Sequence, residues 1–262
     1  MVRACEEKHV KLAIAHQTRY SPRIKLVQEL IAAGKIGRLL ELRGRGKEDH
    51  RGGGEDLWVL GTHIFDLMRI FSGEAKSCFA RVTQGGRAVG AEDVREGNEG
   101  IGPLAGDGIE ASFKMENGCA AFFASHRNMA ANPSRFGLTL FGSKGVIKIH
   151  TGYLPDVHIL EDPSWEPGRT GSRWKPVTSA GIDKPEPLKN TDRPARGNGN
   201  VAIATDLIES IEQDRQPLGS IYQARGATEM IAAVFESHRL RAPVTLPLEN
   251  RDNPLRSLQK RS

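Results

Sequence analysis

Of the eight histidines in this sequence, His63 sits where an ionisable side chain is costliest to place. Residues 55–71, EDLWVLGTHIFDLMRIF, read as a helix that is apolar almost all round. Leu57, Leu60, Ile64, Leu67, Met68 and Phe71 form one stripe, and Trp58, Val59, Phe65 and Ile70 widen it; a helix of that kind is buried. His63 and Asp66 share a face at i and i+3. A buried imidazole and a buried carboxylate both need partners. Three chemistries fit the pair. His63 could be a core histidine satisfied by Asp66 or a carbonyl. It could titrate near working pH and orient or deprotonate a substrate hydroxyl. With His50 it could hold a cation for hydrolysis, but no third ligand is convincing and no metal is expected.

Around this helix lie the groups that could contact a ligand. Lys47, Glu48, Asp49, His50 and Arg51 precede Gly52-Gly53-Gly54, a pliable loop, and Gly61 allows close approach to the helix backbone. Charged runs are usually solvated, yet their nearness to His63 makes Asp49, Arg51, Asp56 and Trp58 the candidate substrate contacts. His126 and Arg127 end a predicted strand and could line the same cleft. Arg19 and Tyr20 follow a short apolar run at the end of an α/β unit, where such sheets present residues to ligands. They are the candidate cofactor contacts, a surface salt bridge being the plainer role for Arg19.

The elements that must position these groups follow from period and punctuation. Residues 2–9 read as the end of an amphipathic helix and 10–15, VKLAIA, as a short buried strand. Ser21-Pro22 supplies an N-cap and first-turn proline for a helix to about residue 33, stopped by Gly34. The period then changes to two. Strands are predicted at 39–45, 77–83, 108–114, 119–127, 135–141, 145–150 and 157–160, with a turn at Glu116-Asn117-Gly118 and another at Gly142-Ser143-Lys144. Residues 84–106 read as a long functional or mobile loop, and 155–194 is rich in proline and charge. Helices at 200–213 and 221–239 close the chain. The expected fold is α+β: an open, mostly antiparallel sheet with helices on one face, preceded by a remnant of a Rossmann α/β domain. The remnant is assigned to residues 1–20 and the substrate-binding and oligomerisation domain to 21–262.

Three glycine stretches imitate a dinucleotide loop, and none qualifies. Residues 44–49 lack the third glycine, and 100–106 place Pro103 inside the loop. Residues 197–202 follow no buried strand and read as a helix start capped by Asn200.

Composition excludes other classes. A net charge of +5 and a pI near 9.2 come from scattered Lys and Arg with acids interleaved, and aromatics are 6% of the chain. That pattern does not suit nucleic acid. No apolar run approaches the ~20 residues that span a bilayer, and no secretory signal opens the sequence. Cys5, Cys78 and Cys119 form neither a CxxC pair nor a disulfide framework, so a cytoplasmic setting is expected.

The motifs together resemble the Gfo/Idh/MocA oxidoreductases. Gly52-Gly53-Gly54 followed by Gly61-Thr62-His63-Ile64-Phe65-Asp66 is similar to their GGG…G-x-H-x-x-D segment. Ala15 to Pro22 resembles the final nucleotide-domain strand and R-x-x-P helix start, Gly34 to Gly37 the G-x-I-G turn, and Arg215-Gln216-Pro217 the C-terminal end. The resemblance implies a Rossmann domain followed by an open sheet through which the enzymes dimerise. It implies oxidation or reduction of sugars, cyclitols and related polyols with NAD or NADP. His63 matches the histidine that handles the hydroxyl proton. Two departures stand out: Val59 replaces an aspartate four residues before that histidine, for which Asp66 or Asp56 could substitute, and the glycine fingerprint and E-K-P lysine are not found. The expectation is an NAD(P)-dependent polyol oxidoreductase in a truncated chain, with His63 and Asp66 catalytic and a homo-oligomer formed through the sheet. The alternative is a non-catalytic sugar-binding or dimerisation module.

Overall fold

The computed structural model describes residues 1–188 and 195–260, and two compact units divide them. One comprises Met1–Leu40 and Thr139–Gly226, the other Glu41–Leu138 and Ala227 onward.

In the second unit, period-two sequence becomes a sheet with two unlike faces. Leu39–Arg45 runs parallel to Ala120–His126, which pairs antiparallel with Gly108–Met115, and that strand pairs antiparallel with Ala75–Gln84. Val244–Thr245 adds an edge. Cys78, Ala80, Val82, Ile109, Ala111, Phe113, Ala121 and Phe123 alternate into the core. The helix Thr62–Ser72 covers this inner face. Phe65 meets Phe113 and Phe123 at ring-centroid distances of 5.4 and 5.0 Å. Gly44 leaves room for Ile64 and Met68, which would lie 2.4 and 2.8 Å from a Cβ placed there. On the outer face Phe79 and Phe122 remain 47% and 40% exposed, beside a shallow depression of about 400 Å³ flanked by Arg43, Arg45, Arg81 and Glu110.

Residues 84–106 are no structureless loop. They fold into Arg87–Ala88, the 3-10 turns Ala91–Asp93 and Asn98–Gly100, and a ribbon of Arg95–Glu96 with Pro103–Leu104. The C-terminal helix Pro254–Gln259 packs on that ribbon.

In the first unit Ser21 caps Pro22–Ala32 through an Arg23 N–H to Ser21 Oγ bond of 3.2 Å, and Gly34 ends it at φ +72°. Gly145–His150, Val157–Leu160, Lys175–Thr178 and Gly181–Ile182 pair antiparallel in that order. Two expectations are corrected. Residues 10–15 form only an isolated bridge from Ala13 to Ser220, and Val10 is 55% exposed, because no neighbouring strand pairs with them among the described residues. The helix expected from Asn200 begins earlier, at Ala195, so Asn200 lies inside it and accepts from Gln17 Nε2 at 2.9 Å instead of capping it. Part of the proline-rich segment, 189–194, lies outside the described residues. No described helix is long and apolar enough to cross a membrane.

Ile221–Leu240 carries one buried titratable staple. His238 Nδ1 accepts from Val82 N at 3.2 Å, and Nε2 pairs with Val89 O at 3.0 Å, which fixes the neutral tautomer with the proton on Nε2. Burial pushes the His238 pKa down. The unfolded chain therefore takes up the proton first, so this stability is present above the ordinary histidine pKa, about 6.5, and is lost as pH falls through it toward the depressed folded value. His238→Gln is expected to cost about 1–3 kcal/mol at pH 8. In urea titrations it should also flatten the fall in stability between pH 7 and pH 5 relative to the native chain.

Candidate functional site

The site is built where the strand Leu39–Arg45 ends and the chain turns into the His63 helix. Gly46 N donates to Ala124 O at 3.0 Å, keeping this segment on Ala120–His126 for one more residue. The triple glycine is then pressed onto neighbouring backbone. A Cβ at Gly52 would lie 2.3 Å from Arg127 Cα, at Gly53 2.6 Å from Gly106 O, and at Gly54 2.1 Å from Ala105 O. Gly53 also has φ +86°, open to glycine and strained for other residues. The expected pliable loop is thus a close-packed turn.

Two carboxylates are buried there. Glu48, at φ +61° and 1% exposed, accepts from Arg45 Nη2 at 2.6 Å, His126 N at 3.1 Å and Arg135 Nη2 at 3.1 Å. Two guanidiniums offset its charge and hold a backbone conformation that costs about 1–2 kcal/mol. Asp56, fully buried, accepts at Oδ2 from Ser125 Oγ at 2.5 Å and Glu48 N at 3.1 Å. Ser125 Oγ in turn accepts from Gly53 N at 3.0 Å. Asp56 Oδ1 is buried with no protein partner, and burial pushes the Asp56 pKa up.

Asp49 and Arg51 pair with each other. Arg51 donates to Asp49 from Nε at 3.2 Å, Nη2 at 2.7 Å and its backbone N at 2.9 Å, and the guanidinium holds the Asp49 carboxyl well below the usual range. His50 is exposed.

The helix itself is interrupted. Gly54–Asp56 is one α turn, Leu57–Gly61 is a π turn, and α geometry resumes at Thr62–Ser72. A π turn inside an α-helix is often found at functional sites. Here it ends two residues before His63, which is half-buried; Asp66 is buried one turn on. Trp58 projects from the π turn and stacks on Phe235, ring centroids 6.5 Å apart. Val59, four residues before His63, is half-buried and brings no carboxylate. Among the described residues no group of three His, Cys, Asp or Glu side chains is arranged to hold a metal ion.

Arg19 and Tyr20 belong to the other unit. They lie in the 3-10 turn Gln17–Tyr20. The Tyr20 hydroxyl donates to Asp206 Oδ2 at 3.1 Å and accepts from Gly219 N at 2.9 Å, and burial pushes its pKa up to about 12. Arg19 Nη2 lies 3.5 Å from Gln223 Oε1.

Ser125 and the role of Glu48 were not anticipated from sequence. A signal existed for Ser125: it continues the inward series Ala121, Phe123, Ser125, where a hydroxyl must find a buried partner. Glu48 carried none, since it stood within a charged run.

Comparison with known proteins gives a consistent picture. The model of an oxidoreductase family, C-terminal alpha/beta domain, matches residues 28–246. A levoglucosan dehydrogenase from Pseudarthrobacter phenanthrenivorans is 25% identical over 171 residues, 56% of this chain and 44% of that protein. The chain thus spans less than half the length of that relative. An oxidoreductase from Agrobacterium radiobacter, solved with NAD+, L-tartaric acid and magnesium, aligns with TM-score 0.61 and 17% identity over 93% of this chain and 67% of that one. A levoglucosan dehydrogenase solved with NADH and levoglucosan aligns with TM-score 0.65 and 18% identity over 91% and 66%. At such identity the structures speak for the fold.

The packing at the triple glycine can be checked directly. Gly53→Ala should lower stability by more than about 1 kcal/mol from the backbone conformation alone. The clash with Gly106 and Asp107 should add to that, giving a clear drop in the thermal midpoint by circular dichroism.

Proposed function

The chain belongs to the Gfo/Idh/MocA oxidoreductase family, and on that premise we propose that it supplies the substrate side of an NAD(P)-linked oxidoreductase of sugars, cyclitols or related polyols, acting in the cytoplasm. The observation that carries this reading is a half-buried histidine two residues past a π turn, in the G-x-H-x-x-D setting of Gly61, His63 and Asp66. The curated relative is a dehydrogenase, and solved relatives were captured with NAD+ or NADH, which supports a nicotinamide cofactor.

In this reading His63 takes the hydroxyl proton of the substrate during oxidation and returns it during reduction. Asp66, one helical turn away and buried, is the second catalytic residue in this reading. Arg51, held rigidly by Asp49, is an oriented donor for substrate hydroxyls, and Asp49 and Trp58 complete that wall. Full burial of Asp56 moves it from the substrate surface to the layer beneath.

A bound nicotinamide would accept or donate the hydride. Arg19 offers a cation suited to a phosphate, whereas the Tyr20 hydroxyl is already bonded on both sides. The three glycine stretches do not form a phosphate loop. Residues 44–49 end a strand, 100–106 join a 3-10 turn to the ribbon, and 197–202 lie within a helix.

The open sheet face supports a homo-oligomer. Phe79 and Phe122 are exposed at its centre, and Arg43, Arg81 and Glu110 place both charge signs around them, a pattern that can complement itself across a two-fold axis.

Two measurements test these readings. In a protein that oxidises a polyol, His63→Asn should lower kcat by about 10²–10⁴-fold with an unchanged thermal midpoint; undiminished turnover would remove His63 from the chemistry. Phe122→Arg should convert the oligomer to monomer in light scattering, and an unchanged mass would place the interface elsewhere. Without NADH binding or turnover, a sugar-binding or dimerisation module becomes the better reading.

A further inference from the structure

The buried carboxyl of Asp56 is the group that the proposed chemistry leaves without a task. Three pieces of chain meet on it. The Glu48 amide and the Ser125 hydroxyl donate to Oδ2, and Ser125 links onward to the Gly53 amide. Gly46 is shaped by the same meeting: a Cβ there would lie 2.1 Å from Asp56 Oδ2 and 2.6 Å from Ser125 Oγ. A residue with any side chain at that point would push the two apart.

Asp56 also closes the first α turn of the helix. Its amide donates to Arg51 O at 3.0 Å, and the Leu57 amide donates to Gly53 O at 2.9 Å. The next five residues are the π turn, and His63 follows two residues later. A π turn is a rare and irregular piece of helix, so the direction in which its far end points depends on how its near end is held. We propose that Asp56 is a positioning residue for His63. Its knot with Ser125, Gly53 and the Glu48 amide fixes the turn from which the His63 helix departs, and no charge passes between the two side chains. The consequence for catalysis rests on the reading of His63 as proton handler; the positioning itself does not.

The chemistry of the knot favours shape over charge. One oxygen is fully used, and the other is buried without a protein partner. A carboxylate with a bare buried oxygen is costly, so burial favours the neutral form over the charged one. Burial pushes Asp56 in that direction. Asparagine reproduces the neutral form, with the carbonyl oxygen facing Ser125 and the NH2 at the Oδ1 position. The family-like aspartate four residues before His63 is Val59 here, so a charge relay from Asp56 is the competing role. Asp56→Asn separates the two.

The test uses the full chain and no activity assay. The ring resonances of His63 are followed by NMR across pH 5 to 9, with His238 in the same unit as internal control. Asp56→Asn should leave the His63 midpoint unchanged. Asp56→Ala should move it by about half a pH unit or more and broaden its signals, with His238 unaffected. Should Asp56→Ala fail to fold, Ser125→Ala, which removes one oxygen, carries the test with the same expected direction. A His63 shift in Asp56→Asn as large as in the alanine variant would overturn positioning in favour of relay. Native-like His63 signals in the variants lacking the knot would overturn it altogether. A loss of turnover in His63→Asn bears only on the catalytic reading, so the two can fail independently.

Discussion

The constraint on which the rest of the second unit depends is the close approach of residues 46–54 to the end of the strand Ala120–His126 and to residues 105–107. Glycines at 46, 52, 53 and 54 permit it, because every Cβ placed there would fall inside the contact distance of backbone or of a buried polar atom. Once the backbones are that close, water is excluded and every enclosed polar group must be satisfied from within. Glu48 draws in two arginines, Asp56 draws in Ser125, and the amides between them complete the bonding. The polar cluster is therefore a result of the packing, and the direction of the following helix results from the cluster.

The same economy recurs elsewhere. Tyr20, Asp206 and Arg215 form a second knot: Asp206 accepts from the Tyr20 hydroxyl, from Leu218 N at 2.6 Å and from Arg215 at 2.7 Å. It ties the 3-10 turn to the end of Ala195–Glu212. Glu186 forms a third, with Arg23 at 2.8 Å and the Ser179 amide and hydroxyl, and these bonds hold its carboxyl down at about 2 against the opposing effect of burial. Each places one carboxylate where several donors from distant sequence converge, which fixes loops that apolar packing alone would leave loosely specified.

The extent to which this was legible in sequence follows from the range of each signal. Strands such as Leu39–Arg45, Gly145–His150 and Val157–Leu160 were readable because alternation and turn residues are local and both point to the same structure. The helix around His63 was readable as buried, but its π turn was not, since Leu57 to Gly61 has an unremarkable helical pattern. Residues 10–15 look like a strand because their apolar content is strand-like, yet a strand needs a neighbour, and sequence cannot supply one. The triple glycine reads as pliable because glycine permits both freedom and crowding, and only the neighbouring backbones decide which. Glu48 was hidden among other charges; its burial depends on Arg135, which is 87 residues away along the chain.

The π turn has one more consequence. Such a turn is geometrically an α-helix with one residue too many, and each residue of an α-helix advances it by about 100°. The helix carrying His63 therefore has two angular phases, one set by Asp56 at its start and the other continuing through Ile64, Leu67 and Met68 into the sheet. Single-residue length changes within Leu57 to Gly61 would act like turning a key: the Asp56 end of the helix and the core stripe would turn against each other by about 100°, so both could not stay seated. In this segment, chain length matters as much as residue identity.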